Sequence, residues 1–187
     1  MTITYNIQIS KARVLDEVQK TSAYIGSKAM NAQDPGAYER VAAVDANREQ
    51  LDRYWMEACD DLSLLLSHWI VSVTSQVLAH HPEIGGASDY RVTLAMPTNW
   101  NDAYLSPLKE ALMSYLVNSI AAKWLLITMP SQAESYAALA SGTALQISQM
   151  LLERKRPSKR SPSNVDGEGA EWIATDVWDQ STTWITT

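Results

Sequence analysis

From the third residue on, apolar and polar positions alternate: Ile3, Tyr5, Ile7 and Ile9 share one face, and Thr4, Asn6 and Gln8 share the other. Period two is the pattern of a half-buried strand, so residues 3–9 predict a β-strand at the N-terminus. No second strand adjoins it in the sequence, and a lone strand leaves backbone donors and acceptors without partners. A neighbouring chain is one source of the missing strand. The period then lengthens. Ser10 is placed to N-cap a helix that turns Val14, Val18, Ile25 and Met30 towards a core, and Asp34-Pro35-Gly36 ends it in a turn.

The most regular segment follows. Val41, Val44, Arg48, Leu51, Trp55, Ala58, Leu62, Leu65 and Trp69 recur in steps of three and four, which places them on one stripe of a single long helix. Over residues 37–72 that helix would measure about 54 Å at ~1.5 Å per residue. A domain of this size has a radius of gyration near ~16 Å. The helix must therefore bend near 67–71 or turn part of its stripe to another chain.

Residues 80–104 are punctuated by His80-His81-Pro82, Gly85-Gly86, Pro97 and Asn99-Trp100-Asn101-Asp102 and read mostly as loop, with a strand over 90–96. Residues 71–78 fit either a partner strand or a continuing helix. Ser106-Pro107 then predicts an N-cap followed by proline at the first helical position, opening a helix whose stripe is Leu108, Leu112, Leu116, Ile120, Trp124 and Ile127. Met129-Pro130 stops it, and Ser131 to Glu134 has the form of a capping box for a last helix carrying Tyr136, Ala140, Thr143, Ile147, Met150 and Leu151. The alanines and Gly142 of that helix predict close approach to a neighbour.

Composition changes at Arg154. Arg154, Lys155, Arg156, Lys159 and Arg160 supply five of the chain's 15 basic residues, and an acidic, tryptophan-bearing tail follows from Asp166. Residues 157–171 read as a linker. The tail's Trp172, Trp178 and Trp184 belong to no helical stripe, and each large apolar side chain gains ~2 kcal/mol or more on burial, so this arm is expected to dock on a partner. Over the whole chain the charge balance is acidic: 21 acids against 15 bases give a net −6, the wrong sign for a protein that coats nucleic acid. Cys59 is the single cysteine and cannot form an internal disulfide, which suits a reducing compartment. The N-terminus has no signal-peptide pattern and no run approaches ~18 apolar residues, so a soluble protein with no membrane partner is expected.

Candidate chemistry is sparse. Cys59, His68, His80, His81 and Glu83 match no metal-ligand spacing. No G-x-S-x-G turn marks a nucleophile. Asp52, Glu57, Asp60 and Asp61 lack the Glu-x-x-His partners of a di-iron bundle and read as a solvated face. No catalytic residue, cofactor or metal is expected. Residues 34–61 hold eight acids and three bases, a net −5 that would repel DNA if copies of the segment lined a channel.

The element order resembles a family. A long amphipathic helix from Ala37 to Ile70, a loop region, Pro107-Leu108-Lys109-Glu110-Ala111-Leu112 opening a helix, and a last helix ending Met150-Leu151-Leu152-Glu153-Arg154-Lys155-Arg156 resemble the head-to-tail connector (adaptor) proteins of tailed bacteriophages over residues 37–156. The N-terminal strand and helix, the longer 80–104 loop and the tryptophan tail depart from that pattern. The resemblance implies a virion structural protein of the phage neck, assembled in the host cytoplasm. It implies a homo-oligomeric ring, commonly of about twelve copies, stacked between the portal and the next neck or tail protein. DNA would pass through the lumen without sequence-specific binding.

The expected fold is mainly α: a bundle of about four helices including one long helix, with a small β element (the N-terminal strand and a strand near 90–96), over residues 1–156, then a linker and docking arm over 157–187. Expected interfaces are Ile3, Tyr5 and Ile7 for strand addition, the 80–104 loop for the next ring, and the 154–160 block with Trp172, Trp178 and Trp184 for the portal or a neighbour. Two rival readings remain at this level: a cellular helical protein–protein interaction module, and a small bundle enzyme using the His68, His80 and His81 region.

Overall fold

Strand β1 (Thr2–Ile9) leads into helix α1 (Lys11–Ala29), a short helix α2 (Ala37–Val41), helix α3 (Arg48–Leu65), strands β2 (Ile70–Ser72) and β3 (Tyr90–Pro97), and two long helices, α4 (Leu105–Thr128) and α5 (Pro130–Leu152). The computed structural model describes residues 2–30, 34–72 and 89–155. All belong to one compact unit, Met1–Lys155; a second unit, Arg156–Thr187, lies outside the described residues. The fold is mainly α with a small antiparallel sheet, as the periodicities predict.

The sheet has the order β1-β3-β2. β1 is paired within its own chain along its whole length, Thr2 opposite Pro97 and Ile9 opposite Tyr90, which corrects the expectation of a strand without a partner. Its partner lies far along the chain, so local pattern could not reveal it. The alternation is as read: Ile7 and Ile9 are buried, while Ile3 stays 43% exposed. Tyr5 packs edge-on against Trp100 at 5.2 Å between ring centroids. The Ile7 side chain therefore belongs to the core, and the Tyr5 ring packs beside it. Of residues 71–78, Val71 and Ser72 belong to β2, which pairs with β3 through a shifted register, and 73–88 lie outside the described residues.

At the start of α1 the Ser10 side chain makes no capping bond. Asp89, just ahead of β3, takes that role: its Oδ1 accepts from the Lys11 backbone N–H at 3.2 Å and its Oδ2 from Gln8 Nε2 at 2.7 Å. A carboxylate at a helix N-terminus satisfies an orphan donor and meets the positive end of the helix dipole. Farther along, α1 approaches α2 so closely that a Cβ on Gly26 would lie 3.1 Å from the Tyr38 Cα.

The single helix expected over 37–72 does not form. α2 ends at Val41, a 3₁₀ turn covers Asp45–Asn47, and α3 begins at Arg48. A continuous helix would use the Val41 carbonyl for the residue 45 N–H and the Ala43 N–H for the Glu39 carbonyl. Both groups are bonded elsewhere. Trp124 Nε1 donates to the Val41 carbonyl at 2.7 Å, and the Ala43 N–H donates to Ser22 Oγ at 3.0 Å, both buried. The two predicted stripe positions at the break, Val44 and Arg48, are exposed, whereas Leu51, Trp55, Ala58 and Leu62 are buried. The excess length is resolved by a fold-back rather than an overhang.

The long helix of the bundle is α4, with 24 residues. It packs against α1, α2, α3, α5 and β1, and Leu108, Leu112, Leu116 and Ile120 on it are fully buried. Together with the preceding 3₁₀ turn it is long and apolar enough, at a mean hydropathy of 1.3, to cross a bilayer by length and composition, but much of that apolar surface is this domain's core. Its start also differs from expectation. Asn101 Oδ1 caps the Asp102–Tyr104 turn by accepting from the Ala103 N–H at 3.2 Å, and Ser106 already lies inside the helix. Likewise α5 opens at Pro130, so Ser131 sits in its first turn and no capping box forms.

Replacing Trp124 by Phe keeps most of the apolar volume and strands the Val41 carbonyl. The expected cost is ~1–3 kcal/mol in urea unfolding. A loss below ~0.3 kcal/mol would show that this bond does not hold the break.

Candidate functional site

α4 and α5 run antiparallel as a hairpin, and its composition is unusual: between Ala111 and Leu152 only Lys123 and Glu134 carry charge. On the inner side, Ala133, Ala140, Ile147, Met150 and Leu151 of α5 are buried. The outer side stays apolar as well. Leu126, Ile127, Leu139, Leu145 and Leu152 are between 55% and 67% exposed. Leu145 and Leu152, two helical turns apart, lie on one line of that exterior. Gly142 also faces open space, so it does not provide the close helix approach expected of it.

Between the two helices runs an open groove of ≈350 Å³ lined by Ser119, Ala122, Lys123, Leu126, Ala133, Glu134, Ala137 and Ala140. It exists because small side chains face each other there. Its one cation is turned towards α3, where Lys123 Nζ lies 3.1 Å from Glu57 and 3.3 Å from Asp61. What remains is apolar apart from the Ser119 hydroxyl and the exposed Glu134 carboxylate. Single exposed apolar residues are ordinary, but a surface this poor in charge is the kind that marks an interaction site.

At the other end of the hairpin the chain is latched. Lys155 N–H donates to the Asn99 carbonyl at 2.7 Å, and Asn101 N–H to the Glu153 carbonyl at 3.4 Å. Trp100 is buried, with its indole N–H on the Met150 carbonyl at 2.9 Å. Arg154 places its guanidinium 5.7 Å from the centre of the Trp69 ring and donates to the Leu151 carbonyl at 3.0 Å. Lys155 pairs with Asp102 at 3.2 Å. The part of the 80–104 loop around Trp100 is therefore bound to α5 within the domain. Arg154 and Lys155 serve this latch, while Arg156, Lys159, Arg160, Trp172, Trp178 and Trp184 lie outside the described residues. The latch was not legible in the sequence, because Trp100 sits among turn residues with no periodicity to mark it as core.

The candidate chemical groups are scattered. Asp52 faces Lys11 at 3.0 Å, Asp60 is exposed, and Glu57 and Asp61 share Lys123. Among the described residues no three His, Cys, Asp or Glu side chains converge on one point. His68 is exposed; His80, His81 and Glu83 lie outside the described residues. Cys59 is fully buried, and desolvation pushes its thiol well above the usual range, away from the reactive thiolate. Ser63 donates its one hydroxyl hydrogen to the Cys59 carbonyl at 2.8 Å, so Tyr90 must be the donor in its 3.1 Å contact with Ser63. Burial raises the Tyr90 phenol to about 12.

A folded-state value above the ordinary one of 10.0 means that the neutral phenol is favoured by folding. Its contribution is complete below pH 10.0 and is lost as the pH rises through about 12. Stability is therefore expected to fall across that alkaline window, and Tyr90→Phe to flatten the fall; identical profiles for both proteins would contradict the assignment. Native Cys59 is expected to resist thiol reagents until the chain unfolds, which mass spectrometry after timed labelling reads directly. No protein-family model, no curated protein and no solved structure matches this chain.

Proposed function

We propose that this chain is a structural subunit of the neck of a tailed bacteriophage or prophage, forming a ring between portal and tail through which DNA passes. The observation that carries the reading is the charge-poor hairpin exterior, where Leu126, Ile127, Leu139, Leu145 and Leu152 remain exposed on two long, otherwise regular helices. Covering one such leucine gains about 1.5–3 kcal/mol, so a neighbouring subunit laid against this face would recover several times that amount. A head-to-tail contact between different faces of identical subunits closes into a ring when the rotation permits.

Two further features support the reading. α3 presents Glu57, Asp60 and Asp61 on its exposed side, where Lys123 offsets part of their charge, and a net acidic wall around a lumen would keep the DNA backbone from adhering. The resemblance to connector proteins through Pro107–Leu112 and Met150–Arg156 falls on the same α4–α5 hairpin. The role is structural: the chain passes DNA along and needs no reacting group of its own.

The test combines the chain with the portal protein encoded by the same genome and images the product by electron microscopy. Rings stacked on the portal are expected for the natural chain, and a Leu139→Lys, Leu145→Lys double variant is expected to stay folded and fail to form them. Absence of rings with the natural chain, or flanking genes that include no portal or terminase, would overturn the proposal.

A further inference from the structure

Among the described residues, the sheet has one edge without the usual protection. In an antiparallel ladder, residues alternately point their backbone N–H and C=O groups at the partner strand or away from it. The Ala95 N–H donates to the Trp69 carbonyl at 2.7 Å, so Ala95 turns its backbone towards the β2 side. Thr4, opposite Ala95, must then turn its own groups away from β3. The unbroken register extends this to Thr2, Asn6 and Gln8. Pro97 opposite Thr2 agrees, since a proline has no N–H to give to β1.

Thr2, Thr4, Asn6 and Gln8 thus line the outer edge of β1 with backbone donors and acceptors that no other described strand meets. Natural sheets guard such edges with charges, proline, bulges or very short strands. β1 has none of these: it runs eight residues, TITYNIQI, without a charge, a proline or a register shift. The opposite edge, β2, is three residues long and irregular.

We propose that the β1 edge is a self-association site, where β1 of a second copy adds antiparallel to form one sheet across a two-fold axis. The strand suits itself. Because it carries no charge, antiparallel self-pairing places no like charges opposite each other. The outward groups match only in registers that set even-numbered residues opposite one another. With Tyr5 at the axis, Thr4 faces Asn6 of the second copy and Thr2 faces Gln8 of the second copy. The same register sets Ile3 across from Ile7 of the second copy and covers the residue on the apolar face that is now 43% exposed. This contact uses a different surface from the α4–α5 exterior and does not depend on the ring reading.

The experiment measures the mass of the full-length chain by light scattering over a dilution series, without the portal. A concentration-dependent dimer is expected. Thr4→Pro removes an outward N–H while sparing the β1–β3 ladder, and is expected to raise the dimer dissociation constant about tenfold or more with thermal stability retained. Thr4→Ser keeps the donor and should dimerise like the natural chain. Backbone hydrogen exchange of the natural chain gives a readout that does not depend on any variant folding: the Thr4, Asn6 and Gln8 amides should gain protection as concentration rises. A chain that remains monomeric, a dimer unaffected by Thr4→Pro with its stability retained, or protection at those amides that does not change with concentration would overturn the proposal. Rings that form on the portal without such a dimer would reject the β1 contact alone, and a β1 dimer without rings would reject the ring reading alone.

Discussion

The domain depends on the burial of α4. α1, α2, α3, α5 and β1 gather around this helix because it presents apolar side chains on more than one side: Leu108, Leu112, Leu116 and Ile120 along one stripe, and Ala111, Ala121 and Leu125 beside it. A helix apolar over so much of its circumference cannot rest with only one face covered. α1 and α3 cover part of it, α5 returns along another side, and the sheet closes one end. The hydrophobic effect sets this arrangement because it scales with apolar area and has no preferred direction.

Direction comes from a few long-range hydrogen bonds. Two buried indoles, Trp124 on the Val41 carbonyl and Trp100 on the Met150 carbonyl, each tie a chain break to a helix that is distant in sequence. A buried carbonyl left without a donor is costly, so the Trp124 indole helps decide that α2 stops at Val41. Asp89 plays the equivalent role at the head of α1. The polar interactions therefore add little to the size of the core and much to its shape.

The same economy explains the outer surface. Charge is concentrated on α1 and α3, where Lys20 meets Asp16 and Glu17, and Lys123 reaches across from α4 to Glu57 and Asp61. It is sparse on the α4–α5 exterior, where Glu134 is the one exposed charge between Ala111 and Leu152, and absent from β1. Exposed ion pairs contribute little to stability, so this distribution bears more on which surfaces repel and which associate.

How much of this was legible depended on the range of the interaction. Alternation in residues 3–9 and the stripes of α1, α3, α4 and α5 were readable because apolar residues at period two or near 3.6 are a direct record of which side faces the core. Helix ends were less so: Ser10, Ser106 and Ser131 are good capping residues by type, but Asp89, Asn101 and Pro130 set the starts. The exposed leucines of α5 look like any others in the sequence, and only the direction of packing against α4 put Leu139, Leu145 and Leu152 outside. By itself, then, the sequence determined the kinds of element, their faces and the mainly α class, since these follow from local periodicity. Tertiary structure alone decided the break after Val41, the pairing of β1 with β3, the Trp100 latch and which apolar faces stayed uncovered, because each depends on contacts between segments far apart in the chain.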